Sequence, residues 1–205
     1  MTENATITSV VLMAGYSRRM GHLKQHVMLK GKSFLNHIIE KIQLFPKDIR
    51  TKIFVGQEND KLGRQMVEDC CGIWISNTNP DEGPISSIRL ALEAVSDSCA
   101  AIMIWPTDHP MVTFQTLEKL VKAFKEKPDY ITLPSNGVHR GHPAIFPNWC
   151  FNYFMNYELK NGAKTLLQMF PDKINYVLTE DIWITRNINT PELLQEAEKL
   201  LLVNG

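Results

Sequence analysis

Charge of one sign is missing from this chain: among 205 residues, 22 lysines and arginines face 22 aspartates and glutamates, and the formal net charge is zero. A protein that binds duplex nucleic acid normally carries a basic excess that neutralises phosphates, so no nucleic-acid partner is expected. Cysteine is scarce as well. Cys70, Cys71, Cys99 and Cys150 form no CxxC pair. Their spacing suits neither a zinc ribbon nor a secreted disulfide framework, and reduced, partly buried thiols are expected. No long hydrophobic run occurs: the most apolar stretches, residues 10–14 and 100–105, are far too short to span a bilayer. Residues 1–9 have no basic segment followed by an apolar core, so no signal peptide and no membrane partner are expected, and the cytoplasm is the expected location.

What is present is an apolar content of 44%, enough for one well-buried core at this length, and a single domain over residues 1–205 is expected. Short β-branched runs alternate with stretches of helical period. Residues 7–13, 53–55, 73–75, 101–105, 130–133 and 173–178 read as strands. Leu35, Ile38, Ile39 and Ile42 share one helix face, residues 85–95 form another helix, and Leu117, Leu120, Val121 and Phe124 repeat the spacing. Thr190 and Pro191 supply the N-cap and first position of a final helix. The alternation predicts an α/β fold: a three-layer, mostly parallel Rossmann-like sheet with helices on both faces. In such sheets the ligand sits beyond the carboxyl ends of the strands. The loops there, residues 14–24, 77–84, 106–110 and 135–143, hold most of the unusual residues.

The first loop reads Leu12-Met13-Ala14-Gly15-Tyr16-Ser17-Arg18-Arg19-Met20-Gly21-His22-Leu23-Lys24. Small Ala14 and Gly15 let backbone amides approach an anion, and Arg19 and Lys24 add the charge a triphosphate needs. Two better-known phosphate loops are excluded. Gly31-Lys32-Ser33 resembles the end of a Walker A loop, but the earlier glycine position holds His26, and Gly15 and Gly21 are wrongly spaced for GxGxxG. Asp108, between Pro106 and Pro110 after the most apolar strand, is placed to coordinate a divalent cation. His22 and His26 have no third partner for zinc and are expected to be solvated. Asn77 and Gly83, flanking a turn, are candidates to contact nucleotide. Trp149, Phe151, Tyr153 and Phe154 are expected to fill the core or a subunit contact.

These motifs resemble those of the molybdenum cofactor nucleotidyltransferases. Residues 12–24 resemble the family's LAAGxSxRMGxxK loop with Met13 in place of an alanine, and Asp108 matches its PxDxP turn. Arg140-Gly141-His142-Pro143-Ala144-Ile145-Phe146 is similar to RGHPxxF of the cytidylyltransferase branch, and residues 161–167 look like that branch's GAxxLL stretch. Asn187-Ile188-Asn189-Thr190-Pro191 and Glu82-Gly83-Pro84 look more like the guanylyltransferase branch, since the cytidylyl branch carries aspartates where Asn187 and Asn189 stand.

The resemblance implies transfer of CMP from CTP to the terminal phosphate of molybdopterin with release of pyrophosphate. Arg19, Lys24 and Asp108 would be catalytic. Leu12, Ala14, Gly15, Arg19, Lys24, Asn77, Gly83 and Asp108 would bind the nucleotide, Asp108 and Asn189 magnesium, and Arg140 and His142 the acceptor. Residues 1–134 would form the nucleotide half and 135–205 the acceptor half. The alternatives are a GTP-dependent guanylyltransferase, a sugar- or alditol-phosphate nucleotidyltransferase of the same fold, and a non-catalytic accessory protein that hands cofactor to a molybdenum hydroxylase client.

Overall fold

Residues 7–12 run Ile-Thr-Ser-Val-Val-Leu without strict polar alternation, the pattern of a strand covered on both faces. In the computed structural model, which describes residues 6–203, they form β1 (Ile7–Leu12), buried over its first five residues. β1 pairs in parallel with β4 (Ile49–Gly56) and with β6 (Ala101–Pro106). β5 (Ile73–Ser76) extends the parallel set beyond β4. On the other side β8 (Ala144–Pro147) runs antiparallel to both β6 and β7 (Ile131–Ser135), and β9 (Ile174–Leu178) closes that edge in parallel with β7. The order β5-β4-β1-β6-β8-β7-β9 is the expected mostly parallel sheet, with β8 its reversed member.

Side chains alternate across a strand, so one strand feeds two cores. Ala101, Met103 and Trp105 of β6 pack with α1 (Phe34–Gln43), α4 (Phe114–Glu126) and Ala197 of α7 (Pro191–Val203). Ile102 and Ile104 face the opposite layer, with Ile88 and Ala91 of α3 (Pro84–Glu93), Phe154 of α5 (Phe151–Asn156) and Leu166 of α6 (Lys164–Met169). Phe154 is thus core, as the aromatic cluster led us to expect. Local chemistry fixes the helix starts. The Ser33 and Thr113 hydroxyls accept from Asn36 N and Thr116 N, and Leu193 N donates to Thr190 Oγ1 at 3.3 Å. Among the described residues no helix is long and apolar enough to cross a membrane.

Several elements lie outside the sequence-based reading. Gly31 belongs to a hairpin between β2 (Met28–Leu29) and β3 (Lys32–Ser33), whose two-residue turn needs positive φ at both Lys30 (49°) and Gly31 (74°). α2 (Lys61–Asp69) buries only Gly63 and Val67, too few apolar positions to show a period. β8, α5 and α6 span four to six residues, shorter than the window over which periodicity is readable.

Asp181 ties the back of this arrangement together. Its carboxylate accepts from Thr113 N (2.8 Å), Thr113 Oγ1 (2.9 Å), Thr116 Oγ1 (2.8 Å) and Trp183 N (2.9 Å), joining the start of α4 to the turn over residues 181–184. Asp181→Ala removes the acceptor of the Thr113 and Trp183 N–H groups, and we expect a stability loss of about 1–3 kcal/mol. A denaturant midpoint equal to wild type would contradict this role.

Candidate active site

The register of β1 and β6 sets Leu12 beside Pro106, so the loops that follow leave the sheet side by side. Thr107 fastens them: its N–H and Oγ1 both donate to the Leu12 carbonyl, at 3.1 and 2.7 Å. Eighty-four residues apart in sequence, Lys24 Nζ and Asp108 Oδ2 then meet at 3.0 Å, each side chain about one-fifth exposed. Backbone bonds hold Lys24 on both sides: its N–H donates to Ser17 Oγ (3.2 Å), and its carbonyl accepts from Val27 N (3.0 Å). The Asp108 carbonyl accepts from Ile188 N at 2.7 Å, which brings the 187–190 segment against this turn.

Three cavities open at this end of the sheet, two of them lined by the ion pair or one of its members. One of about 240 Å³ is lined by Leu12, Ala14, Gly15, Lys24, Gly83 and Asp108, among others. Beside it, about 340 Å³ opens between Arg19, Lys24, Asp81 and Asn189. The third, about 590 Å³, has an apolar floor that includes Ile104 and Phe146 and a rim bearing Arg140, Lys160 and Lys164; Glu82 also lines it. It shares Leu12, Gly83, Pro84 and Pro106 with the first. Among the described residues, Arg19, Arg140, Lys160 and Lys164 make no ion pair.

The fold therefore gathers Leu12, Ala14, Gly15, Arg19, Lys24, Gly83, Asp108 and Asn189 at one place, with Arg140 and His142 across a shared wall. Asn77 is a correction. It is buried, its Nδ2 donates to Ser86 Oγ and Ser87 Oγ (2.8 and 2.9 Å), and its Oδ1 accepts from Asn79 N. Its amide is spent shaping the start of α3. His26 is a second: instead of standing in solvent, its Nε2 lies 2.7 Å from the buried Asp60 carboxylate.

His142 lines the larger cavity beside Arg140 but is more enclosed than its loop suggests. Its loop is polar in sequence, yet its N–H donates to Ile184 O (2.8 Å), and a side chain at Gly141 would fall on that same carbonyl. The ring is drawn inward, 4.9 Å from the His109 ring, with Nδ1 sealed from solvent and unpartnered. Burial, aided by His109, pushes the His142 pKa down to about 4, with Asp108 opposing. His109 is also lowered by burial, against the pull of Asp108; its Nδ1 lies 3.2 Å from the Trp183 carbonyl and so carries the proton. The His109 ring stands beside Asp108, with Nε2 3.9 Å from Oδ1, and the His142 ring lines the larger cavity.

Magnesium suits what is present. Asp108 offers one carboxylate, Asn189 follows Ile188, whose N–H is bonded to the Asp108 carbonyl, and among the described residues no cluster of three or more His, Cys, Asp or Glu could cage a metal. Such a sparse protein set fits an ion that takes its other ligands from water and substrate phosphates. Gln25, Gln57, Tyr16 and Asp81 also border the site and escaped the sequence reading. Tyr16 Oη donates to Asp81 Oδ2 at 3.3 Å, bridging two loops, a pairing over 65 positions that no local pattern reveals.

The family model for the MobA-like NTP transferase domain matches residues 9–175, most of the chain and every loop just described except the closing segment at 187–190. The chain belongs to this family. The MobA-like domain is 25% identical over 209 residues to a probable molybdenum cofactor guanylyltransferase of Natranaerobius thermophilus, covering 98% of both chains. It is 27% identical over 197 residues to the molybdenum cofactor guanylyltransferase of Haemophilus influenzae, covering 93% of this chain and 97% of the other. Its fold matches the crystal structure of molybdopterin-guanine dinucleotide biosynthesis protein A from Archaeoglobus fulgidus, with a TM-score of 0.68, 23% identity, and 96% and 99% of the two chains covered. These curated relatives carry guanylyl names, whereas residues 140–146 pointed to the cytidylyl branch.

The two imidazoles of the MobA-like site make its stability depend on pH. An unfolded histidine titrates near 6.5, and above that value both states hold His142 neutral. As pH falls from about 6.5 towards 4, the unfolded chain binds a proton that the folded ring refuses, so stability drops. We expect the thermal midpoint to decline across that window and the decline to flatten in His142→Phe. An identical slope in that variant would show that the ring is not sealed.

Proposed function

We propose that this MobA-like domain transfers GMP from GTP to the terminal phosphate of molybdopterin. The observation that carries the reading is the shared wall between a cavity holding Lys24 and Asp108 and a larger, apolar-floored cavity with a cationic rim. A triphosphate and a phosphorylated heterocycle laid in these two cavities meet over Leu12 and Pro106. An oxygen of the acceptor phosphate attacks the α-phosphorus of GTP and forms the new P–O bond. The bond from that phosphorus to the bridging oxygen breaks, and pyrophosphate leaves with its electron pair.

Arg19 and Lys24 hold the triphosphate and offset charge on the departing pyrophosphate. Asp108 and Asn189 would hold magnesium, which when bound lowers the charge repulsion between nucleotide and acceptor. Arg140 faces the acceptor, and neutral His142 forms part of its wall without adding charge. Positioning and electrostatics supply most of the rate in such transfers, so no protein nucleophile is required. GTP is favoured over CTP because relatives matched along nearly their whole length are named guanylyltransferases, in line with the Asn187-Ile188-Asn189 segment. CTP, favoured by the Arg140–Phe146 stretch alone, is the second reading.

Pyrophosphate release, measured with GTP, CTP, UTP and ATP and with bare or molybdenum-loaded molybdopterin, tests this directly. GTP should be preferred. A preference for CTP would transfer the enzyme to the cytidylyl reading, and no turnover with any nucleotide would favour a carrier role. Arg19→Ala and Lys24→Ala should each raise KM for the nucleotide and lower kcat, a combined loss on the order of 2–4 kcal/mol of transition-state stabilisation. Equal kcat/KM in wild type and both variants would remove these residues from the mechanism.

A further inference from the structure

The turn after β4 touches the phosphate loop at both ends, and no motif assigned it a role. Gln57 Nε2 donates to the carbonyls of Ala14 (3.2 Å) and Gly15 (3.1 Å), using both protons of one amide. Three residues on, buried Asp60 accepts from the side chain of Gln25, from His26 Nε2 (2.7 Å, with His26 protonated on that nitrogen) and from Gly63 N (2.8 Å). Gln25 and His26 directly follow Lys24. A side chain at Gly63 would fall on the Asp60 carboxylate, so the glycine lets Asp60 fold back over the start of α2.

In a planar trans peptide, C=O and N–H point in opposite directions. Tying the Ala14 and Gly15 carbonyls to one amide therefore turns the N–H groups of Gly15 and Tyr16 the other way, together. Among the described residues neither N–H has a hydrogen-bond acceptor. A Cβ at Gly15 would meet nothing within 4 Å, and the residue lines the cavity that holds Lys24 and Asp108. Two unpartnered donors on the far side of these carbonyls, beside open space, suit an anion.

We propose that Gln57 is a positioning residue for nucleotide binding: it aims the Gly15 and Tyr16 amides at a phosphate group, while Asp60, on the same turn, fixes the Lys24 end of the loop. The proposal rests on the reading that this loop takes a nucleoside triphosphate. Gln57 is half-buried on a turn, so its replacement leaves both cores intact, whereas Asp60→Ala would strand buried polar groups and blur the result.

The test uses Gln57→Met, which keeps the length and removes the donor, and Gln57→Glu, which keeps the shape but can only accept. The full chain is titrated calorimetrically with tripolyphosphate in the presence of magnesium, and guanosine is measured as a competitor of GTP. Losing the alignment of two charge-assisted amide contacts should weaken tripolyphosphate binding by about ten-fold or more in both variants. Guanosine competition and the thermal midpoint should stay at wild-type values. Tripolyphosphate affinity equal to wild type in both variants overturns the positioning role alone. Absence of tripolyphosphate binding to wild type overturns the triphosphate reading and this proposal with it.

Discussion

Lys24 and Asp108 meet because two adjacent parallel strands end in register, and most of the site follows from that contact. Each is about one-fifth exposed, so their attraction is less screened than on an open surface, and removing either leaves a poorly solvated charge. In the function proposed above, each also serves a ligand of opposite sign: the ammonium a triphosphate, the carboxylate a divalent cation. Without substrate the two neutralise each other. Under the proposed reading, a magnesium–nucleotide complex brings a cation for Asp108 and an anion for Lys24 at once, so neither is left without a countercharge, whereas a bare triphosphate must compete with Asp108 for Lys24.

The cavities draw residues from both halves of the chain. Asn189, from the closing segment, lines the cavity that holds Arg19 and Lys24, because Ile188 N is bonded to the Asp108 carbonyl. Leu12 and Gly83, from the first half, line the cavity that holds Arg140. This interleaving is physical: β8 reverses direction and inserts between β6 and β7, so the 140–143 segment is delivered back to the carboxyl end of β6. Both cavities then open over the same strand ends, as a transfer between two bound substrates requires.

The central strands, the long helices and the loops that carry the charges were legible from sequence because each depends on local information. A β-branched run identifies β1, a three-to-four spacing identifies α1 and α4, and a cap residue marks the start of α7. Lys24 and Asp108 were legible as residue types in loops; that they pair with each other was not, since the contact depends on strand register. Asn77 misled for the same reason, and His142 is more enclosed than its loop suggests. A polar residue in a polar loop reads as exposed, and only tertiary contacts with Ser86, Ser87 and Ile184 turn these two inward. Gln57 and Asp60 carried no signal because their partners, Ala14, Gly15, Gln25 and His26, lie more than thirty positions away.

The central claim is that Lys24 serves the triphosphate and Asp108 the cation, with each masking the other until both ligands arrive. GTP affinity of wild type, Asp108→Asn and Lys24→Met, measured calorimetrically with and without magnesium, tests it most directly. If the two residues mask each other, Asp108→Asn binds metal-free GTP more tightly than wild type, because Lys24 is released, but gains little when magnesium is added. Lys24→Met binds GTP weakly without metal and recovers part of the loss with it. An Asp108→Asn protein that binds metal-free GTP no better than wild type and keeps the full magnesium enhancement would contradict mutual masking.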